Sequence, residues 1–404
     1  MKIMYIVPFV PRQVKVRSFN LIPRLARRHQ IHLVCVSSEA PSEAQRRYLE
    51  QHCESVTAIP HSRWRAIWQC AAALPTKTPM RIAYCESQAA SKAVADLLRV
   101  AEPDVIYVER WRALQYVPRD AAAPVVCDPT DSMTLYNGRL SKTGASWERI
   151  VGWEEHRRFL RYEGTLARQA DVSVFCSRLD MECVKEQASE ARYELVPNGV
   201  DCEKLFFKDA SEEEPATVVF TGNLKYRPNR HAVEFFLEKT FPLVRRQVPQ
   251  AKFVAVGNGA EKALQRYRGT PGFEAIGFVP ELRPYLARAT VAVAPLTVGS
   301  GVSNKLGEGF AVGTPVVATP LACGDLPVRD GEHLLIARET PQFADRVIEL
   351  LKDARLRRAI AARARRLVQE QYDWEIVSRK METLMCELAT FKGGIAAEEV
   401  QTPA

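Results

Sequence analysis

Lys305 and Glu308 place a cation and a carboxylate three residues apart in the sequence. On a helix, these two side chains project from neighbouring positions of one face. The loop before them contains Gly299 and Gly301, so backbone N–H groups at a helix start can face a phosphate. A lysine there can contact diphosphate oxygens, and a glutamate can accept hydrogen bonds from the two hydroxyls of a ribose. The pattern predicts a site that holds a nucleotide diphosphate.

Two strands and a helix must position this pair. Residues 291–295 are an apolar stretch that predicts a buried strand, and residues 316–319 predict the next strand. Between them, Gly313 supplies the left-handed position that ends a helix, and Pro315 prevents the helix from continuing. The helix that carries the pair is therefore confined between two strands, as in a parallel α/β sheet.

The same alternation of strand and helix runs along the whole chain and predicts an α/β protein with parallel, doubly wound sheets. At 404 residues the chain is too long for one ordinary core. A turn signal and an acidic, proline-containing segment between residues 198 and 217 separate two halves. We predict domains over residues 1–200 and 201–371, a helix near 372–390 and a disordered tail over 391–404. Strands are predicted in the first half at residues 2–7, 31–36, 56–59, 105–108, 124–128 and 172–176.

Charge and cysteine content narrow the class of partner. The 56 Lys and Arg residues outnumber the 48 Asp and Glu residues by eight, and no zinc-finger spacing or RNP-like aromatic block accompanies them. We therefore expect no nucleic-acid partner. The ten cysteines are scattered without a CxxC pair, so buried reduced thiols and no metal site are expected. No apolar run reaches the ~18 residues of a membrane span. A cytoplasmic protein, peripheral on the inner face of the membrane, fits these features best.

Residues 61–74, HSRWRAIWQCAAAL, are the segment that favours a membrane contact. Trp64 and Trp68 are four residues apart and would share one helix face, with Arg63 and Arg65 beside them. Tryptophan next to arginine is the composition of an interfacial helix. The alternative is a helix docked on its own domain, with the arginines extending outward.

Acidic and basic residues follow two predicted strands of the first half. Asp128 and Asp131 end the stretch PVVCDPTD, and Glu109 and Arg110 follow the stretch VIYV. The carboxyl ends of parallel strands are where α/β sheets bind ligands. A carboxylate at this edge can orient or deprotonate an acceptor hydroxyl, whereas the alternative for Asp131 is capping of the next turn.

A series of motifs extends these observations to nearly the whole chain. They are LVPNGVD (195–201), VVFTGNLKYRPNRHAVEFF (218–236), GFVPELRPYLARATVAVAPL (277–296), GSGVSNKLGEGFAVGTPVVAT (299–319), DGEHLLIA (330–337) and YDW (372–374). In this series the chain resembles glycosyltransferases of the GT-B fold, specifically the retaining family 4. It is most similar to the bacterial sugar transferases associated with exopolysaccharide clusters.

The resemblance implies two Rossmann-like domains facing a cleft. The nucleotide-sugar donor would bind the C-terminal domain and the acceptor the N-terminal one, and the last helix would cross back to the N-terminal domain. Lys305 and Glu308 are the expected catalytic residues, joined by Asp128 and Asp131, with Arg17, Glu109 and Arg110 on the acceptor side. The remaining donor-binding residues implied by the resemblance are Gly222, Asn223, Lys225, Arg227, Asn229, Gly277, Phe278, Val279, Leu282, Gly299, Ser300, Gly301, Val302 and Ser303.

The chain departs from the family pattern at several of these positions. Ser300 stands where many members have a second glutamate, and either Lys225 or Arg227 would replace an arginine that members have after the first strand of the domain. The first loop lacks the usual glycine, and Thr130 stands where many relatives have a histidine. In the glycine-rich variant, the backbone amides of residues 301–303 would hold the pyrophosphate.

The predicted function is transfer of a sugar from a UDP- or GDP-linked donor to an acceptor hydroxyl, with retention. The expected acceptor is a glycan or a lipid-linked saccharide in exopolysaccharide or cell-surface polysaccharide synthesis. No cofactor and no divalent metal are expected, because no DxD carboxylate pair occurs in the sequence. The alternatives are a nucleotide-sugar 2-epimerase, a glycosyltransferase acting on a small-molecule acceptor, and a non-catalytic GT-B partner protein. A dinucleotide oxidoreductase is disfavoured, because no GxGxxG opens a helix after the first strand.

Overall fold

The computed structural model describes residues 1–12, 16–144, 146–297 and 304–399. The chain divides into two compact units. Unit 1 comprises residues 1–197 together with 377–404, and unit 2 comprises residues 198–376. The sequence predicts the division at residue 200 and the start of the C-terminal helix of the first domain near residue 372.

Unit 1 is built on a parallel sheet of seven strands among the described residues, in the order β3-β2-β1-β4-β5-β6-β7. Strands β1 and β4 are buried on both faces, which explains their nearly continuous apolar sequences. The strands are β1 (Lys2–Val7), β2 (Gln30–Ser37), β3 (Ser55–Pro60), β4 (Val105–Glu109), β5 (Val125–Thr130), β6 (Val172–Phe175) and β7 (Tyr193–Leu195).

Helices connect these strands and cover both faces of the sheet. Ser42, Ser62, Ser87, Ser132 and Ser177 each cap the N-terminus of one of them through the side-chain hydroxyl. The helices are α1 (Val16–Leu25), α2 (Glu43–Glu50), α3 (Arg63–Ala73), α4 (Met80–Ala83), α5 (Gln88–Ala101), α6 (Trp111–Leu114), α7 (Met133–Thr143), α8 (Ser146–Ala167) and α9 (Arg178–Lys185).

Unit 2 repeats this architecture with a parallel sheet of six strands in its described part, in the order β10-β9-β8-β11-β12-β13. The strands are β8 (Thr217–Thr221), β9 (Lys252–Val256), β10 (Phe273–Ile276), β11 (Val291–Ala294), β12 (Val316–Ala318) and β13 (Leu335–Ile336). The helices are α10 (Arg227–Phe235), α11 (Phe241–Gln247), α12 (Ala260–Ala263), α13 (Arg283–Arg288), α14 (Asn304–Val312), α15 (Pro320–Cys323), α16 (Thr340–Lys352) and α17 (Ala354–Gln371). Helix α18 (Trp374–Glu399) belongs to unit 1 from residue 377 onward.

Each sheet reverses its strand order once. In unit 1 the chain leaves β3 at one edge and returns to β4 beside β1, and in unit 2 it returns from β10 to β11 beside β8. In doubly wound sheets, ligands bind beyond the carboxyl ends of the strands at this switch point. The topology therefore predicts ligand sites at the carboxyl ends of β1 and β4 in unit 1, and of β8 and β11 in unit 2.

The structure differs from the predicted elements in two places. The sequence predicts one helix over residues 231–241, whereas in the structure a π-helical turn at Phe236–Thr240 separates α10 from α11. Pro242 lies in the first turn of α11, where proline is tolerated, whereas a continuous helix would place it in the interior. Helix α18 extends to Glu399 and so includes part of the segment predicted to be a disordered tail.

Among the described residues, no helix is both long enough and apolar enough to cross a membrane. In the same part of the chain, no three His, Cys, Asp or Glu side chains are grouped in a way that could hold a metal ion.

Candidate functional site

The first candidate site lies at the switch point of unit 2, where β8 ends and α14 follows β11. Lys305 and Glu308 lie one turn apart on α14. They contact residues at the end of β8 and at the start of α10, and not only each other. The strand–loop–helix unit predicted from the sequence thus brings the pair to the edge of the sheet where ligands bind.

Lys305 is held in a partly buried position. Its Nζ donates a hydrogen bond to Asn229 Oδ1 at 3.1 Å and lies 5.3 Å from the centroid of the Phe220 ring. Burial lowers the pKa of the Lys305 ammonium to about 8, and the nearby Glu308 carboxylate acts in the opposite direction. An anion bound at Lys305 would restore the charged form, so the site is electrostatically prepared for a phosphate group.

Glu308 is the acidic member of the pair. Thr221 Oγ1 donates a hydrogen bond to Glu308 Oε2 at 3.3 Å. Burial raises the pKa of the Glu308 carboxyl group, while Lys305 and the Thr221 hydroxyl lower it. Hydroxyl donors stabilise a desolvated carboxylate, so the arrangement suits a ligand that brings further hydroxyl groups, such as a ribose.

The loop after β8 is shaped by two glycines. Gly222 has φ 153°, and a Cβ there would lie 3.0 Å from Asn229 Nδ2. Gly257 has φ 146°, and a Cβ there would lie only 2.0 Å from the Gly222 carbonyl oxygen. Asn229 also donates from Nδ2 to the Asn223 carbonyl at 3.0 Å. These close contacts fix Asn229, which in turn orients the ammonium group of Lys305.

The other predicted donor residues lie on neighbouring loops. Lys225 and Arg227 are both exposed at the start of α10, so the choice between them stays open. Phe278 is exposed between β10 and α13, near Gly277, Val279 and Leu282. The predicted residues Gly299, Ser300, Gly301, Val302 and Ser303 lie outside the described residues.

Two residues that touch the pair, and one nearby contact, were not predicted from the sequence. Thr221 and Phe220 precede Gly222 in the motif VVFTGN, so the motif itself was the available signal. His231 Nδ1 lies 3.1 Å from Thr297 Oγ1, where β11 leads towards the glycine-rich segment. No local pattern joins residues 66 positions apart, so only the fold reveals this contact.

The second candidate site lies at the carboxyl edge of the sheet in unit 1. Asp128 is completely buried and accepts hydrogen bonds from Arg17 Nε and the Tyr107 hydroxyl. Arg17 also donates to the carbonyls of Val196 at 3.0 Å and Pro197 at 3.2 Å. Both predicted residues are therefore engaged below the surface. In this geometry the Arg17 guanidinium and the Asp128 carboxylate are occupied by each other and by groups at the strand ends, and the other predicted residues of this edge lie beside them.

Those neighbours are Glu109, Arg110 and Asp131. Arg110 Nη1 donates to Asp131 Oδ2 at 3.1 Å, and the Arg110 backbone has φ 76°. Thr130, at the end of the adjacent strand, has φ 71°, and the pairing of β5 with β6 shifts register between Cys127 and Thr130. Non-glycine residues with positive φ are uncommon and concentrate at functional sites.

Glu109 has the properties of a proton acceptor. Its Oε2 is buried without a hydrogen-bond partner among the described residues. Burial raises the pKa of the Glu109 carboxyl group to about 7, and Asp128 adds to this, while Arg110 and Arg17 oppose it. A carboxylate whose pKa lies near neutral pH is suited to general base catalysis.

We expect the pH profile of kcat/KM for the sugar donor to be bell-shaped. A general base must be ionised, and Glu109 becomes protonated below about pH 7. In that range kcat/KM should therefore fall tenfold for each unit by which the pH decreases. It should fall above about 8, where free Lys305 loses its proton. Steady-state rates from pH 5.5 to 9.5 measure both limbs. Glu109→Gln should remove the acidic limb, and an unchanged limb in that variant would exclude Glu109 as the base.

The sequence of this chain is similar to a known family model and to several known proteins. Residues 215–353, most of unit 2, match the family model Glycosyl transferases group 1. Phosphatidyl-myo-inositol mannosyltransferase of Mycobacterium leprae is 28% identical over 307 residues, which cover 73% of this chain and 74% of that protein. A GDP-mannose-dependent monoacylated alpha-(1-6)-phosphatidylinositol monomannoside mannosyltransferase of Corynebacterium glutamicum is 24% identical over 350 residues, covering 79% and 82%.

Solved structures agree in fold. HepE of Anabaena in complex with UDP superimposes with a TM-score of 0.67 at 17% identity, covering 96% of this chain and all of that one. Sucrose-phosphate synthase of Thermosynechococcus elongatus gives a TM-score of 0.66 at 16% identity, covering 96% and 99%.

The chain is therefore a glycosyltransferase with the GT-B fold, and the predicted fold class is confirmed. Unit 2 matches the model of the glycosyl transferases of group 1, and the two relatives are mannosyltransferases, in agreement with the family resemblance.

Proposed function

We propose that the protein transfers a glycosyl group from a UDP- or GDP-linked sugar to an acceptor hydroxyl, with retention at the anomeric carbon. The observation that carries the proposal is the pairing of Lys305 with Glu308 at the end of β8, supported by Asn229 and Thr221. Unit 2 would bind the donor and unit 1 the acceptor, a glycan or a lipid-linked saccharide of the cell surface. The exposed tryptophans of α3 are compatible with a membrane-bound acceptor.

In the proposed reaction, the bond between the anomeric carbon and the diphosphate oxygen breaks, and the diphosphate keeps the electron pair. The acceptor oxygen forms the new bond to the same carbon, and its proton passes to Glu109. Negative charge gathers on the leaving diphosphate as the old bond breaks. Lys305, already in place, stabilises that charge, and Glu308 holds the ribose hydroxyls of the nucleotide.

In this proposal, cationic side chains of the protein replace a divalent metal ion at the diphosphate. Lys305 supplies one charge, and Lys225 or Arg227 supplies a second at the start of α10. The reaction is therefore expected to proceed in the presence of EDTA, which can be tested with the purified protein.

The test combines nucleotide binding with sugar turnover. UDP and GDP are each added in a thermal-shift assay. One of them should stabilise the folded protein by ~2.7 kcal/mol at 100 times its Kd and so raise the melting temperature. Glu308→Ala should abolish the shift, and Glu203→Ala, which removes an exposed carboxylate of the same unit, should leave it unchanged. UDP- and GDP-linked sugars are then incubated with and without a lipid extract.

Each outcome of the turnover assay decides between the alternatives. Release of the nucleoside diphosphate with the sugar attached to an acceptor, with the anomeric configuration kept, supports the proposal. A donor-only reaction that changes the sugar without releasing it would show a 2-epimerase. Sugar transfer to soluble small molecules alone would show a tailoring enzyme. Binding of a nucleotide without any turnover of the sugar donor would indicate a non-catalytic partner protein.

A further inference from the structure

Unit 1 exposes its tryptophans on two helices. The chain has six tryptophans, and four of them, Trp64 and Trp68 of α3 and Trp147 and Trp153 of α8, are 60–78% exposed. The other two, Trp111 and Trp374, are at most 2% exposed. Large exposed aromatic side chains mark interaction surfaces when they gather in one region.

Further apolar side chains extend both sets. Ile67 of α3, Leu74 directly after α3 and Ile150 of α8 are each more than half exposed. On α3, Trp64, Ile67 and Trp68 occupy positions i, i+3 and i+4, which share one helix face. Helix α3 packs on its own unit through the buried residues Ala66 and Ala73, and the face with the tryptophans is left exposed to solvent.

A cavity of about 340 Å³ joins the two helices. Cys70 of α3 and Val151 of α8 both line it, and by helical spacing Ile67 adjoins Cys70 while Trp147 adjoins Val151. The exposed side chains of α3 and Trp147 of α8 therefore flank this opening, whereas Ile150 and Trp153 line a second cavity with Ser141 and Arg149. We call this region, α3 with residues 147–153 of α8 and the cavity between them, the aromatic surface.

The cavity itself is cationic. Arg81 and Arg112 line it, together with one carboxylate, Glu155. The Glu155 carboxylate already accepts hydrogen bonds from the backbone N–H groups of Met80 at 2.7 Å and Arg81 at 3.2 Å. Arg112 Nε is buried without a hydrogen-bond partner among the described residues. Burial lowers the pKa of Arg112, and the positive charges of Arg110 and Arg81 add to this.

Two guanidinium groups that line one cavity, one of them with an unused buried donor, are suited to binding an anion. Arg81 also lies over the Tyr136 ring, 4.9 Å from its centroid. The planar guanidinium matches phosphate oxygens with two parallel hydrogen bonds. The surrounding chain has the same sign of charge: residues 55–85 contain Arg63, Arg65, Lys77 and Arg81 and no Asp or Glu. A positively charged segment beside exposed tryptophans is complementary to the surface of an anionic bilayer.

We propose that the aromatic surface docks unit 1 on an anionic bilayer, and that Arg81 and Arg112 bind the phosphate of one lipid headgroup in the cavity. The tryptophans and Ile150 enter the interface, while Arg65 and Lys77 attract the membrane charge. This docking goes beyond sugar transfer and does not require it, because vesicle binding is measurable without any donor.

The test uses the full chain and vesicles of phosphatidylcholine with or without 30% phosphatidylglycerol. Co-sedimentation should show binding to the anionic vesicles at least tenfold tighter than to neutral ones. Trp64→Ser/Trp68→Ser and Arg81→Gln/Arg112→Gln should each weaken that binding at least tenfold. The matched controls are Val100→Ser, an apolar residue 83% exposed on α5, and Arg46→Gln, an exposed arginine of α2. Both controls should bind like the unmodified protein.

Tryptophan fluorescence gives a readout that needs no variant. Because the exposed tryptophans all lie on the aromatic surface, brominated lipids should quench most of the exposed emission. Equal binding to neutral vesicles, or no quenching, would overturn the proposal. Binding of millimolar inorganic phosphate by the protein, without any binding of vesicles, would show a free-phosphate site instead. A dimer in light scattering that Trp64→Ser/Trp68→Ser dissociates would show that a second copy covers the surface.

Discussion

Lys305→Met should lower kcat/KM for the sugar donor by about 10²- to 10³-fold, the usual effect of removing one preorganised group that stabilises a developing anion. Methionine keeps the apolar stem against Phe220 and removes only the charge, so the fold should be retained. Lys262→Met, an exposed lysine of the same unit, is the matched control and should change the rate less than twofold. Steady-state kinetics with the donor found in the binding screen measure both variants.

The lowered pKa of Lys305 allows an independent check on the same residue. Near pH 8 about half of the free protein has a neutral Lys305, so a diphosphate that stabilises the ammonium form should take up roughly half a proton on binding. Calorimetry in two buffers of different ionisation enthalpy measures this uptake. A Lys305→Met variant that retains full activity, or that takes up the same proton, would contradict the assignment.

Arg17→Met should destabilise the protein by about 3–5 kcal/mol, because it leaves the Asp128 carboxylate buried without its cationic partner. The pair is fully enclosed, and Arg17 also ties the carbonyls of Val196 and Pro197 to α1. Urea denaturation followed by circular dichroism measures the loss.

A double variant separates the ion pair from simple loss of packing. Arg17→Met/Asp128→Asn should be more stable than Arg17→Met alone, because the uncompensated charge is gone. The exposed pair Arg47–Glu43 at 2.6 Å is the matched control, and Arg47→Met should cost less than about 1 kcal/mol. Equal effects at the two arginines would show that burial of the Arg17 pair contributes little.

Much of the fold was predictable because parallel strands have a strong signature. All six strands predicted in the first half are present, with ends within two residues, since buried strands read as short apolar runs between helices. The missed strands are short: β7 has three residues and β13 has two, too few to show any period. The break at Phe236–Thr240 was missed because a π turn has no simple sequence signal.

The candidate site was predictable where its members are close in sequence. Lys305 and Glu308 share one helix, so their spacing alone indicates that they work together. The contacts with Asn229 and Thr221 span 76 and 87 residues and depend on the order of strands in the sheet. Burial decides the rest. Sequence placed Asp128 and Glu109 at the same edge of the sheet. The fold buries both, pairs Asp128 with Arg17 and leaves Glu109 Oε2 without a hydrogen-bond partner among the described residues.

Helix α18 has a consequence for how the protein is made. Its residues from 377 onward belong to unit 1, whose other part ends at residue 197, and Glu382 binds Arg28 and His29 of that part. Unit 2 is complete once residue 376 has been synthesised. Unit 1 is begun first but is complete only when its last helix has been synthesised. During translation, the second half of the chain can therefore fold before the first.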